Sequence, residues 1–207
     1  DRNLRWNTSP AFYIAGDPTV EDNNTFRSTL YEIFKYCANI SPGIATTEPI
    51  EGAIFHYVPV SKFKSIIPEV PADVTTSYSW SLYRLNSGLK KFTAVHSTAT
   101  SQSSRDVSTQ INVYRAMGLR GYTKSLNANM FSCTFPKLGV ITASELDKQI
   151  IKLYCSTYSR SWDTTQQTFD AISSAWTKKS NIPIMGLNIK VGEYRNQLNF
   201  SFEFNPS

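Results

Sequence analysis

The amino-acid sequence predicts an α+β domain of about four amphipathic helices, several short strands and a C-terminal antiparallel hairpin. Three observations predict it: apolar residues recur at helical spacing in separate windows, residues 187–191 and 198–204 alternate apolar with polar, and no regular strand–helix–strand alternation runs through the chain. An all-β jelly-roll-like sandwich is the alternative, because many of the apolar runs are short enough to be strands separated by Ser/Thr/Pro loops.

Residues 1–20 read as an extended N-terminal arm, with Trp6, Pro10 and Phe12 placed to dock on a neighbouring subunit. The first helix follows the cap candidates Asp22, Asn23 and Asn24, with Phe26, Leu30, Ile33, Phe34 and Cys37 on one face, and Ser41-Pro42-Gly43 stops it. Residues 53–60, AIFHYVPV, are a strand that Pro59 pushes to an edge or an end. A short helical turn at Ser61 to Ile66 precedes a loop through Pro68 and Pro71. Two strands, SWSLYRL and KFTAV, flank the turn Asn86-Ser87-Gly88.

The polar run from Ser97 to Ser104 leads to a helix with Val107, Ile111, Tyr114 and Met117 inward, capped by Ser103 or Ser104 and ended by Gly118. Phe131, Cys133 and Phe135 alternate as a short strand. Ser144 and Asp147 open a helix with Leu146, Ile150, Leu153 and Tyr154 on one face, and Asp163 opens another with Phe169, Ile172 and Trp176 inward. Finally Leu187, Ile189 and Val191 alternate with polar residues, GEYRN turns, and Leu198, Phe200, Phe202 and Phe204 return.

Composition narrows the class. With 207 residues, 41% hydrophobic and 13% aromatic, the chain is one ordered domain able to bury a core, and its 18% charged content is low for a soluble domain. Neutral polar residues fill the difference, which suits a surface that lies against copies of itself. No apolar run has the length of a membrane span. The three cysteines, Cys37, Cys133 and Cys155, show no CxxC spacing, so free thiols in a reducing compartment are expected, with neither a disulfide framework nor a zinc site.

Charge is unevenly placed. Between Val74 and Ser144 eight cations meet the single carboxylate Asp106, a net of +7 that leaves −2 for the remainder of a chain totalling +5. Clustered, uncompensated cations are what attraction to phosphate needs. Arg84, Lys90 and Lys91 belong to one predicted hairpin, and Arg105, Arg115, Arg120 and Lys124 to the following helix and its exit; Lys137 is too far along to join them. Tyr122 and Tyr83 are placed to stack on bases, whereas Tyr114 falls on the inward face of its helix. Ordinary solvated faces would produce the same count.

Catalytic chemistry has few candidates. His56 and His96 are the only imidazoles, and Ser97 beside His96 would point to the opposite face of a strand, so the two form no dyad. There is no P-loop, no GxGxxG opening a helix and no HExxH. Tyr83-Arg84 and Val95-His96-Ser97-Thr98 resemble the Arg and Ser-Thr-Ser elements of the ADP-ribosyltransferase toxins. That resemblance also implies a catalytic Glu with Glu or Gln two residues before it, and Glu145 and Glu193 have Ala143 and Val191 there instead.

The sequence therefore leads to a non-enzymatic, self-assembling coat or nucleocapsid protein, a homo-oligomer in a virion or host cytoplasm, without cofactor or metal. Single-stranded nucleic acid is its expected partner, through Arg84, Lys90, Lys91, Arg105, Arg115, Arg120, Lys124 and Tyr122. The alternative is a secreted toxin-like enzyme or a carbohydrate or cell-surface binding module.

Overall fold

The computed structural model describes residues 6–37, 41–84, 88–118, 187–194 and 197–204, together with 151–152, 155, 166–167 and 170–171. Five strands form one mixed sheet: β1 (Ala11–Gly16), β2 (Gly43–Ile44), β3 (Gly52–Val58), β4 (Ser77–Arg84) and β5 (Gly88–Ser97), in the spatial order β2-β1-β3-β5-β4. Four run parallel, and β4 alone is antiparallel to its neighbour β5. Helix α1 (Val20–Phe34) follows β1, and α3 (Gln102–Ala116) follows β5. A 3-10 turn at Val60–Lys62 and the short helix α2 (Phe63–Ile66) follow β3.

The helices lie on both faces of the sheet. Phe26, Leu30 and Ile33 of α1 and Val113, Tyr114 and Ala116 of α3 bury against Phe12, Phe55, Tyr57, Phe92 and Ala94. Their rings interlock, with Phe26 edge-on to Phe55 at 4.9 Å between centroids. Phe63 of α2, with Ile67 and Val70 beyond it, covers Val95, and Val58, Tyr78 and Trp80 complete this smaller cluster. The β3 strand is consequently buried on both sides, which is why AIFHYV carries no polar alternation.

This is an α/β-like arrangement, and it overturns both fold classes expected from sequence. The α+β domain of four helices and the all-β sandwich each treated the strands as local pieces, whereas β1, β3 and β5 pair in parallel across long stretches of chain. Strand β1 lies within the residues expected as an arm, and it sits between β2 and β3. Trp6 is a buried member of the main core, its indole Nε1 donating to Ala116 O at 2.6 Å. Pro59 stands directly past the end of β3, the second of the two placements expected for it, and β3 itself is a central strand.

Element ends follow side-chain chemistry. Helix α1 is capped by Thr19, three residues before the first of the expected caps Asp22, Asn23 and Asn24, because Thr19 accepts from Asp22 N and the Asp22 carboxylate accepts from Thr19 N, a closed capping box. Helix α3 is capped by Ser101, whose hydroxyl accepts from Ser104 N. At the other end of the chain β6 (Leu187–Tyr194) and β7 (Gln197–Phe204) pair antiparallel, and Gly192, Glu193 and Tyr194 lie in strand where a turn was expected. The expected strand at Phe131 to Phe135 lies outside the described residues; of the two later helices, the pairs 151–152, 166–167 and 170–171 are helical.

Cysteine usage also differs from expectation. Cys37, just past α1, is disulfide-bonded to Cys155, with 5.1 Å between Cα atoms and 118 residues between them in sequence. Both are buried in the main core. A bond between residues so far apart has no spacing signature, and an odd cysteine count does not exclude one pair.

Candidate functional site

Parallel topology gathers polar groups at the carboxyl ends of β1, β3 and β5. The chain leaves β1 for β2 on one side and returns as β3 on the other, and crevices at such reversals are where open α/β sheets hold ligands. Here the crevice is filled by the protein's own side chains. Arg105, 7% exposed, sets its Nε 3.0 and 3.2 Å from the two oxygens of Asp22, while its other nitrogens donate to Thr98 O, Thr100 O and Gln102 Oε1. Gln102 in turn donates to Asp22 and Asp106 at 2.8 and 2.9 Å, and Thr25 donates to Asp106 at 2.8 Å.

Burial pushes the Asp22 carboxyl upward, but the hydrogen bonds from Thr19, Gln102 and Arg105 outweigh it and hold its pKa below the ordinary value. The ion pair therefore stays charged. Each nitrogen of the Arg105 fork donates to a protein acceptor, so this buried arginine ties α1 to α3.

Beneath that pair lies a second polar layer. The Tyr57 hydroxyl and Thr109 Oγ1 are 2.8 Å apart, and burial raises the phenol's pKa. His96 stacks on Tyr57 with 4.9 Å between centroids, and its Nδ1 is 3.0 Å from Ser108 Oγ. Sequence reasoning rejected His96 with Ser97, and Ser97 Oγ does bond locally, accepting from Ala99 N. The Ser108 partner was missed. Its twelve-residue separation has meaning only once α3 lies over β5.

The opposite end of the sheet carries further cations, of which Lys90 and Lys91 are partly exposed. Arg84 ends β4 and pairs in register with Gly88, while Lys90 and Lys91 open β5; a bulge there leaves Lys90 without an opposite residue. Helix α3 runs back along β5, from Ser108 beside His96 to Ala116 beside Trp6, so exposed Arg115 returns to this same end. Tyr83 is 50% exposed there and Leu82 is exposed beside it. Two carboxylates intrude: Lys90 meets Glu51 at 3.4 Å and Lys91 meets Glu48 at 3.8 Å. Such solvent-accessible pairs contribute about 0–1 kcal/mol each.

The structure thus brings Arg84, Lys90, Lys91 and Arg115 to one end and leaves Arg105 buried at the other. Tyr114 is core. Arg120, Tyr122 and Lys124 lie outside the described residues. The register also separates the two elements that resemble ADP-ribosyltransferase toxins, since Arg84 is opposite Gly88 whereas His96, next to Ser97, is opposite Ser77. Seven strand residues put them roughly 23 Å apart, too far for one active site.

His56 faces away from the main core, half-buried, and burial lowers its pKa, with Lys91 reinforcing and Glu48 opposing that shift. Among the described residues no three His, Cys, Asp or Glu side chains form a group that could hold a metal, and no helix is long and apolar enough to cross a membrane. No family model matches the chain, and no curated protein matches it either.

Proposed function

We propose that this chain is a non-enzymatic, self-assembling protein of the coat or nucleocapsid kind that binds single-stranded nucleic acid at the hairpin end of its sheet. One observation carries the reading: β4, β5 and the far end of α3 bring Tyr83, Arg84, Lys90, Lys91 and Arg115 to a common end. Cations there attract phosphates, and an exposed tyrosine offers a base a stacking surface. The low charged content, 18%, supports contact between copies in a virion or host cytoplasm.

Binding to a labelled single-stranded RNA, measured against salt, tests it. The expected affinity falls steeply as salt rises, and replacing Arg84, Lys90, Lys91 and Arg115 by Gln flattens that slope by roughly 0.7 for each phosphate the variant no longer neutralises. Binding that ignores salt, or a quadruple variant that binds unchanged, rejects the reading. Sedimentation showing only monomer at high concentration rejects self-assembly.

The Cys37–Cys155 bond favours a second reading, a secreted carbohydrate or cell-surface binding module, because buried disulfides persist in oxidising surroundings. Free-thiol counting on the protein isolated from its source without reductant separates them. One free thiol, from three cysteines, supports the secreted reading and three support a reducing compartment.

A further inference from the structure

His96 stands at the seam between the sheet and α3 with 0% exposure. Its ring stacks on Tyr57 and Phe55, at 4.9 and 6.1 Å between centroids. Ser108 donates its hydroxyl proton to Arg105 O at 3.0 Å, so the 3.0 Å contact with His96 is Nδ1–H donating to Ser108 Oγ. That tautomer leaves Nε2 as an acceptor, and it has no hydrogen-bond partner among the described residues.

The neutral ring fits this pocket and the imidazolium does not. Protonation would add an N–H with nothing to receive it and a charge inside an aromatic stack. The groups facing the ring are Tyr57 from β3, Asp22 from α1 and Arg105 from α3; β4 contributes Ser77 opposite it, which does not titrate. Asp22 favours the charged ring and Arg105 opposes it, but the two are paired with each other at 3.0 Å. Their fields largely cancel, so burial decides.

We propose that His96 is an acid-sensitive latch, holding α3 on the sheet at neutral pH and releasing it when the ring takes up a proton. Burial takes its pKa down to about 3 from the ordinary 6.5. The stabilisation is therefore complete above about pH 6.5 and is lost as pH falls toward 3. The opening constant of α3 grows up to about tenfold per pH unit, roughly thirtyfold at pH 5 relative to pH 8. Asp22, whose pKa is already below 3.8, does not change over that window.

Amide hydrogen exchange of α3 between pH 8 and 5, corrected for the intrinsic exchange rate, reads the latch. Protection in the native chain is expected to drop roughly thirtyfold, to stay constant in His96→Phe, and to drop as in the native chain in His56→Gln. A flat native profile, or a response abolished by His56→Gln, overturns the proposal. Should His96→Phe not fold, nitrogen NMR of the native imidazole decides: at pH 5 the closed form must keep the neutral Nδ1–H ring, and an imidazolium there overturns it.

Discussion

At the residue scale two positions fix the crevice. Gly16 has φ +82°, and a Cβ there would lie 2.2 Å from Tyr57 O, the acceptor of Asp17 N at 2.8 Å. Gly16→Ala is expected to cost about 2–5 kcal/mol in urea unfolding, from left-handed strain plus the clash with backbone. Asp22 is the second. Asp22→Ala strands the buried Arg105 guanidinium and should cost about 3–5 kcal/mol by the same measurement, whereas a neutral swap of both partners should cost less than the two single changes together. Because the Asp22 pKa is depressed, its contribution is present above the ordinary carboxylate value and is lost as pH falls below about 3.8. The sequence offered Asp22 as an N-cap, whereas it stands at the third helical position and closes the box around the true cap, Thr19. The ion pair of Asp22 was not legible, since Arg105 lies 83 residues away.

At the element scale the two helices on the main face depend on ties at their ends. Ser101 caps α3, and Ser101→Ala is expected to cost about 1 kcal/mol, measured as loss of thermal or urea stability. The disulfide acts at the other end of α1. Linking residues 118 apart removes denatured-chain entropy worth up to about 4–5 kcal/mol, so Cys37→Ser should lower the urea midpoint well beyond the cap variant. The α1 face was legible because Phe26, Leu30 and Ile33 repeat at helical spacing. On α3 Tyr114 and Met117 are buried as expected, but Val107 and Ile111 are only partly buried, and Thr109, Asn112 and Val113 turn inward instead. Strand β1 was not legible, because AFYIAG is short and lies mostly half-buried, so neither alternation nor a continuous apolar run marks it.

For the whole molecule, the parallel sheet decides which end does what. Its carboxyl ends gather the Asp22–Arg105 node and its amino ends gather the positions of Arg84, Lys90, Lys91 and Arg115, so one charge count divides into a buried tie at one end and a group of cations at the other. Arg115→Glu should therefore weaken RNA binding with little change in unfolding midpoint, and Arg105→Glu should unfold the protein before its binding can be compared; paired urea and RNA titrations check both. By itself the sequence determined the amphipathic face of α1, the apolar strands β3 and β5 and the carboxylate-poor middle, all properties of neighbouring residues within a few turns. Only the tertiary structure decided that β1, β3 and β5 lie parallel, that Cys37 meets Cys155, and which arginine is buried. Those depend on contacts between residues many positions apart, and local periodicity carries no record of which distant partner a side chain meets.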